Sequence, residues 1–322
     1  MSTLLVYQDG KFRADLPSVT ICDVLADPEA TVWLDVGEPT EQDIAVLWQG
    51  FGFHPLAIED AIRAHERPKV DTYSHYYFIV FYTAHHNTAT EQIETQALNM
   101  FIGANYLVTV HSGAIRQIAE TQARWQTPGS PLGHRVAALV HALLDAVVDD
   151  YFPLMDQVGD RIDDLEDTVF IKFEESSIQT LFGLKKDLLH LRRVVAPERD
   201  VLNRLLRREL PVFKPEDLVY LQDIYDHIVR VTDSVDTYRD LLSSALDSYL
   251  SVQSNNLNQI VKVLTIASII LMSNALVSGI YGMNFQHMLP ELSWKLGFPV
   301  TLGLMALISA ALILYFRRRK WL

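Results

Sequence analysis

The stretch SVQSNNLNQIVKVLTIASIILMSNALVSGIYGMN, residues 251–284, decides the fold of this chain. Its final part, residues 263–284, carries no charged side chain and reaches the length of about 20 apolar residues that crosses a hydrocarbon core. Upstream, no glycine or proline interrupts the chain from Glu216 to Ser278, so these 63 residues predict one helix of about 95 Å. A helix that continues unbroken into the bilayer is typical of a stalk or a pore wall.

A second uncharged run follows at residues 296–316. Lys262 precedes the first run, and the cations of residues 317–320 follow the second. Because positively charged flanks stay in the cytoplasm, both chain termini are expected there, and the short connection between the runs is expected to face outward. We therefore predict a multi-pass protein of the cell inner membrane that contacts lipid.

The region before these runs has the pattern of a cytoplasmic α/β domain over residues 1–112. Four segments in it are rich in β-branched and aromatic residues and predict strands, namely TVWLDV, YYFIVFYTA, TQALNMFIGA and NYLVTVH. Residues 39–51 predict one helix, and residues 54–68 predict another that ends at Pro68. The sheet is expected to carry helices on both faces.

Helical periodicity dominates from residue 113 to 210. Residues 133–169 predict a helix that Pro153 kinks or divides, and a second helix is expected near 177–208. Between Asp145 and Glu175 the chain holds 11 acids and two bases, which indicates either a solvated face or a surface that handles cations. The fold class is therefore an α+β membrane protein, and the remaining divisions are 211–284 for the stalk and first span, 285–295 for the outer loop, 296–316 for the second span and 317–322 for the basic tail.

Composition narrows the function. A net charge of −13 argues against nucleic-acid binding and suits a protein that handles cations. The single cysteine, Cys22, excludes an internal disulfide and a cysteine-rich zinc site. No phosphate-cradling glycine loop and no nucleophile elbow occurs, so we expect neither an enzyme nor an organic cofactor.

One stripe of the long helix has the character of a pore lining. Steps of three and four residues back from residue 284 select small and polar residues separated by apolar ones. They are Ala275, Met272, Ser268, Leu264, Val261, Asn258, Ser254, Ser251 and Asp247. A lipid-facing stripe would be uniformly apolar, but helix packing in membranes also favours small residues, so packing and pore both remain open here.

The motif YGMNF at residues 281–285, followed by PELSW, resembles the signature of the CorA family of divalent-cation (magnesium and cobalt) transporters. The stalk IYDHIVRVTDSVDTYRDLLSSALDSYLSVQSNNLNQIVKVLTIAS, the segment HPLAIEDAIRAHERPKVDTYSHYYFIVFY and the tail YFRRRKWL are also similar to that family, so the resemblance covers almost the whole chain. Two departures stand out. Leu289 is an apparent insertion in the outer loop, and Ser273 stands where the family often has proline in the first span.

This resemblance implies a funnel-shaped homopentamer in which the first span of each subunit lines a central pore. Gly282, Met283 and Asn284 would form the selectivity filter at the outer mouth. A ring of neutral carboxamides can hold the water shell of Mg²⁺, which the ion gives up reluctantly, without binding it too tightly for conduction. Glu291 in the outer loop would concentrate cations, although it is also an ordinary loop acid.

The same resemblance implies two further kinds of site. Met272 and Leu264 would close the pore as apolar constrictions, and Asp247 would form a carboxylate ring in the cytoplasmic vestibule. Asp60 and Asp223, with Glu59 beside them, would bind regulatory Mg²⁺ between adjacent subunits. Metal between facing carboxylates would stabilise a closed state, so the transported ion would regulate its own entry.

Three functions follow from these residues. The first is a Mg²⁺ channel that also passes Co²⁺ or Ni²⁺, the second is a Zn²⁺ transporter of the same superfamily, and the third is an oligomeric membrane sensor that conducts nothing. The loop PELSW favours the first over the second. The neighbouring histidines His85 and His86 lack a second ligand pair at a suitable spacing and are interpreted as exposed strand-end residues.

Overall fold

The computed structural model describes eight segments of the chain. They are residues 2–14, 21–63, 66–130, 132–171, 175–207, 212–283, 295–319 and 321. The chain divides into an N-terminal unit, Met1–Ala245, and a C-terminal unit, Leu246–Leu322.

Seven strands form one sheet in the N-terminal unit, in the order β2-β1-β3-β7-β6-β5-β4. The central pair β3 and β7 is parallel, and every other pair is antiparallel. The strands are β1 (Ser2–Gln8), β2 (Lys11–Ala14), β3 (Thr31–Gly37), β4 (Lys69–Thr72), β5 (Tyr77–Asn87), β6 (Gln92–Ile102) and β7 (Tyr106–His111).

Nine α-helices are described. They are α1 (Ile21–Leu25), α2 (Glu41–Ala45), α3 (Pro55–Ile62), α4 (Arg116–Gln126), α5 (Val136–Asp149), α6 (Tyr151–Ile171), α7 (Glu175–Leu205), α8 (Leu218–Tyr281) and α9 (Gly297–Arg318). A π-helical turn, Val46–Gly50, continues α2, and a 3₁₀ turn, Pro215–Asp217, precedes α8.

Local sequence explains several of these elements. β1 and β2 form a hairpin across Asp9 and Gly10, both with positive φ, which is the Asp-Gly turn that matches strand twist. Thr40 caps α2 in a capping box with Asp43. α3 starts with Pro55, whose missing N–H costs nothing at a first helical position.

Helices cover both faces of the sheet, as predicted. On one face, Leu34, Val36 and Val108 of the sheet belong to a core shared with α1, the turn after α2, and α3. On the other face, Trp33 lies against Trp125 of α4, and both rings are fully buried.

The four predicted strands correspond to β3, β5, β6 and β7, whereas β1, β2 and β4 were not anticipated. The helix predicted over residues 54–68 is shorter, because α3 ends at Ile62 and Arg63 is already extended, well before Pro68. The helix predicted over residues 133–169 is two helices, α5 and α6, which separate at Asp150, so Pro153 lies in the first turn of α6 where proline is tolerated.

The long helix is present as α8, whose 64 residues begin and end close to the predicted limits. Its apolar part and α9 each have a mean hydropathy of 2.1 over an 18-residue window and are long enough to cross a membrane. Almost none of the side chains in these windows is fully buried within the chain, unlike those of the core helix of a soluble protein.

Candidate metal centre and ion path

Two carboxylates and one imidazole meet between α5 and α8 in the N-terminal unit. Asp145 and Asp149 are four residues apart on α5 and therefore share one helical face. His227 of α8 lies opposite, and the ligand atoms of all three side chains lie within 4.8 Å of one another. Carboxylate and imidazole are donor types that divalent metals accept, so this triad is a candidate cation site.

The histidine of this triad is held in place from its other side. Its ring lies 5.5 Å from the ring of Phe152, edge to face. Its Nδ1 atom is 3.4 Å from Asp149 Oδ1, is shielded from solvent, and makes no hydrogen bond within the described residues. The nitrogen therefore faces a carboxylate without a well-formed bond, which is the arrangement that a shared cation would complete.

Electrostatics in the triad also favour a cation. Burial raises the pKa of Asp145, and the negative charges of Asp149 and Asp223 raise it further, while His141 and His227 act in the opposite direction. A half-buried acid among other acids is destabilised as an anion. A positive ion among these carboxylates would offset that repulsion.

The residues predicted to bind regulatory metal lie in three local environments. Asp223 is one helical turn before His227, with its Oδ1 4.0 Å from His227 Nε2 and its side chain 64% exposed. Asp60 of α3 pairs with Lys69 at 2.6 Å, and Glu59 pairs with Arg63 at 2.8 Å. Asp223 thus borders the triad, whereas Asp60 and Glu59 have cationic partners within the chain, and their regulatory roles stay predictions.

Sequence reasoning did not identify the triad. A signal was present. Asp145 and Asp149 stand at helical spacing inside the acidic stretch, and Asp223 and His227 have the same spacing in the long helix α8. What the pattern lacked was the pairing of α5 with α8, which depends on tertiary packing.

The predicted pore stripe is exposed along the described part of α8. Met272 is 69% exposed and Leu264 65%, and Val261, Asn258, Ser254, Ser251, Asp247 and Ala275 are exposed too, while Ser268 is half-buried. Other buried or half-buried residues of this part of α8, including Ile266, Ile270 and Val277, lie on the face that carries Asn274, which is hydrogen-bonded to α9. Within one chain, the exposed residues of the stripe therefore lie away from this face, and the role of the stripe as a pore lining remains a prediction.

The predicted filter is described only in part. α8 ends at Tyr281, and the N–H of Gly282 donates to Ser278 O at 2.9 Å. A Cβ atom on Gly282 would lie 3.1 Å from that oxygen, closer than an ordinary contact, and Met283 is 46% exposed. Asn284 and Glu291, like the inserted Leu289, lie outside the described residues.

His85 and His86 have local partners. His85 Nε2 lies 3.8 Å from Glu94 on the neighbouring strand, and His86 Nε2 lies 3.7 Å from Glu91 and 3.2 Å from Arg161. A guanidinium beside His86 opposes metal binding there. In the described part of the chain, the triad of Asp145, Asp149 and His227 is the group of three or more His, Cys, Asp or Glu side chains whose ligand atoms lie close enough to hold one metal ion.

Comparison with known proteins gives consistent results over most of the chain. The family model described as CorA-like Mg²⁺ transporter protein matches residues 28–318. The cobalt/magnesium transport protein CorA of Thermotoga maritima is 36% identical over 299 residues, which cover 92% of this chain and 85% of that protein. The putative metal ion transporter YfjQ of Bacillus subtilis is 36% identical over 292 residues, 91% of this chain and 90% of that protein.

The fold is also shared with a solved structure. The complete structure of the CorA magnesium transporter from Methanocaldococcus jannaschii superimposes with a TM-score of 0.86 and covers 100% of this chain and 99% of that one. Its sequence is 24% identical, so this likeness concerns the fold.

Proposed function

This chain belongs to the family of CorA-like Mg²⁺ transporter proteins, and on that premise we propose that it conducts hydrated Mg²⁺ into the cytoplasm, with Co²⁺ and Ni²⁺ as further substrates. The observation that carries the proposal is the family match over residues 28–318, which includes most of the N-terminal unit together with α8 and α9, the two apolar helices. The chain is a transporter and not a catalyst in this proposal, and it needs no organic cofactor.

The driving force is electrical and chemical. A divalent cation that enters a cell gains about 4.6 kcal/mol per 100 mV of membrane potential, twice the value for a single charge. The chain lies in the cell inner membrane with both termini in the cytoplasm, because Lys262 and the terminal arginines flank the two spans on one side.

The conducting form is a homopentamer in which α8 of each subunit contributes the exposed stripe to a common pore. Met272 and Leu264 narrow this pore with apolar side chains, and Asp247 supplies a ring of carboxylates below them. Gly282, Met283 and Asn284 form the outer filter, where carboxamide oxygens accept hydrogen bonds from the water shell of the ion. Glu291 adds negative charge near that mouth.

Cytoplasmic Mg²⁺ regulates the pore by binding between subunits. Asp60, Glu59 and Asp223 supply carboxylates, and the triad of Asp145, Asp149 and His227 extends the acidic site from α8 to α5. The support for this extension is the 4.0 Å separation of Asp223 from His227. Metal binding lowers the repulsion between these groups and stabilises the closed state, so a rise in internal Mg²⁺ reduces influx.

Flux measurements on the full chain in liposomes test the proposal. We expect Mg²⁺ influx in the parent chain and, for Asn284→Ala, a decrease of about tenfold or more, which corresponds to roughly 1.4 kcal/mol in the barrier. Asn203→Ala, at an exposed position of α7, is the matched control and should conduct like the parent. Zn²⁺ influx without Mg²⁺ influx would assign the chain to zinc transport, and the absence of both would leave a non-conducting sensor.

Regulation has a separate test. Asp223→Lys and Asp60→Lys should weaken both the inhibition of current by internal Mg²⁺ and the protection that Mg²⁺ gives against proteolysis. Asp200→Lys, at a residue whose side chain is 71% exposed on α7, is the control for added charge. Full inhibition and full protection in both variants would show that the regulatory site lies elsewhere.

A further inference from the structure

A polar pair links the two apolar helices of the C-terminal unit. Asn274 of α8 donates from Nδ2 to Ser309 Oγ of α9 at 2.9 Å. Ser309 Oγ donates in turn to Met305 O of its own helix at 2.8 Å. The hydroxyl has one proton, which goes to Met305, so it is free to accept from the amide, and the two bonds form one consistent chain.

This pair lies in the middle of the faces of α8 and α9 whose side chains are buried or half-buried. The α8 residues of that face recur at helical spacing and are Ile266, Ile270, Ser273, Asn274, Val277 and Tyr281. The α9 residues do the same and are Thr301, Met305, Ile308, Ser309, Leu312 and Phe316. Asn274 is also near the centre of the apolar run, which places its amide at the depth where polar groups are most costly.

The amide is not placed there to gain stability. Asn274 Oδ1 is buried and has no hydrogen-bond partner among the described residues. A buried carbonyl oxygen without a donor opposes folding, whereas leucine would fill a similar volume without an unpaired polar atom. A single polar residue in an apolar helical interface is best known for fixing register and orientation at the expense of stability.

The orientation that the pair fixes is the one that matters for an ion path. With 100° between successive residues, Asn274 lies about 160° from Met272 around the helix axis. Met272 is 69% exposed, while Asn274 is held on α9. When the amide is bonded to Ser309, the predicted pore stripe must therefore point away from the second span.

We propose that Asn274 is a positioning residue, whose hydrogen bond to Ser309 sets the rotation of α8 so that the stripe containing Met272 faces the pore. This inference rests on the proposed function, because it assumes that the stripe lines the ion path. Loss of the bond lets α8 turn about its axis, which brings the neighbouring Leu271 toward the path.

Cadmium block of cysteine variants measures that rotation. Cys22→Ser provides a background without cysteine, and Met272→Cys or Leu271→Cys is added to the full chain in liposomes. We expect Cd²⁺ to block Mg²⁺ influx through the chain with Met272→Cys at far lower concentration than through the chain with Leu271→Cys. The ratio of the blocking concentration for Leu271→Cys to that for Met272→Cys is therefore well above one in this background. When Asn274→Leu or Ser309→Ala is added to both cysteine variants, this ratio should fall toward one.

Two further variants separate orientation from general damage. Ser309→Thr keeps the hydroxyl and should keep the parent ratio. The exchange Asn274→Ser with Ser309→Asn restores a polar pair with its partners reversed, and it should recover much of the ratio that either single loss removes. Recovery by the exchange is not expected if the single variants only disturb folding.

Each negative result has its own meaning. No Mg²⁺ influx in the cysteine-free parent contradicts the proposed function. Influx with equal Cd²⁺ block at positions 271 and 272 contradicts the pore stripe and this inference with it. A clear difference that persists in both Asn274→Leu and Ser309→Ala contradicts the positioning role alone.

Discussion

Two buried polar groups, one in each unit, differ in how fully they are hydrogen-bonded. In the N-terminal unit, Glu198 of α7 is fully buried, yet its Oε1 accepts from the N–H of Tyr82 at 2.8 Å. The hydroxyl of Tyr151 lies 3.1 Å from Glu198 Oε2 and 3.0 Å from Tyr82 O. In the C-terminal unit, by contrast, the buried amide of Asn274 has an oxygen with no partner in the described chain.

This contrast shows what each unit needs from its surroundings. A protonated Glu198 can donate to Tyr151, which can donate to Tyr82 O, so every group in the N-terminal network is satisfied within the chain. The C-terminal unit leaves large apolar side chains such as Phe298 and Leu271 at least 70% exposed. Such an exposed apolar surface is typical of helices that lie in lipid, whereas the apolar residues of the N-terminal unit form a buried core.

The largest expected effect comes from removing the buried acid. Glu198→Ala leaves the N–H of Tyr82 without an acceptor and opens a cavity, so we expect the free energy of unfolding of the N-terminal unit to fall by about 3 kcal/mol. Urea unfolding of the full chain in detergent, followed by tryptophan fluorescence, measures this, since Trp33 and Trp125 are fully buried in that unit.

Glu198→Gln is the matched control for that change. Its amide keeps both an acceptor for Tyr82 and a donor for Tyr151, so it should cost no more than about 1 kcal/mol. Equal losses in both variants would show that side-chain volume is not the cause and that the carboxyl group itself is required, because glutamine has nearly the same volume as glutamate.

A glycine comparison sharpens the difference in packing between the units. A Cβ atom on Gly103 would lie 2.3 Å from the ring of Tyr106, which is packed against Phe51 and cannot move freely. Gly103→Ala should therefore destabilise the N-terminal unit by about 2 kcal/mol. Thermal unfolding of the full chain in detergent provides the measurement.

Two other glycines serve as controls, because no atom lies within 4 Å of a Cβ built on Gly183 of α7 or Gly279 of α8. Alanine at either position should be neutral or stabilise its helix by up to about 1 kcal/mol. A large loss at Gly279 would mean that neighbouring copies pack closely there, and the comparison of the two units would need revision.

The smallest effect, when expressed as the change per pH unit, is a pH dependence that belongs to the N-terminal unit. Burial raises the pKa of Glu198 well above its ordinary value of 4.5. At a pH between 4.5 and the raised pKa of the folded chain, Glu198 keeps its proton in the folded chain and has lost it in the unfolded chain. The stability that this proton difference contributes is complete below about pH 4.5 and is lost as the pH rises through the folded pKa. The slope from this group is at most about 1.4 kcal/mol per pH unit.

Unfolding of the parent and of Glu198→Gln from pH 5 to 9 isolates this contribution. Burial lowers the pKa of His111, but the hydrogen bond and the charge of Asp35 raise it, and the net shift is upward. His111 therefore also makes stability fall with rising pH, by the same amount in both chains. The difference between the two chains should decrease steadily with pH. A difference that does not change with pH would show that Glu198 is ionised in the folded chain.

Dense local signals predict four of the seven strands, whereas the other three carry weaker signals or depend on a distant partner. β3, β5, β6 and β7 carry dense β-branched and aromatic runs and were predicted. The hairpin of β1 and β2 has a clear local signal, the Asp9-Gly10 turn, that was overlooked. β4 has four residues and pairs only through β5, so its own sequence says little.

The same division applies to the candidate site. Position along α8 is enough to place Met272 and Leu264 on one stripe, because helical spacing is a local property. The triad joins Asp145 and Asp149 of one helix to His227 of another, and no spacing within a single helix encodes that meeting. Its recognition required the packing of α5 against α8.

The sequence by itself determined the family, the two apolar spans and the unbroken course of α8, because motifs, hydropathy and the absence of glycine and proline act through neighbouring residues. The tertiary structure alone decided which side chains meet across elements. It closed Glu198 into a network with Tyr82 and Tyr151, and it bonded Asn274 to Ser309. These meetings depend on how separate surfaces pack, and that is a property of the whole chain.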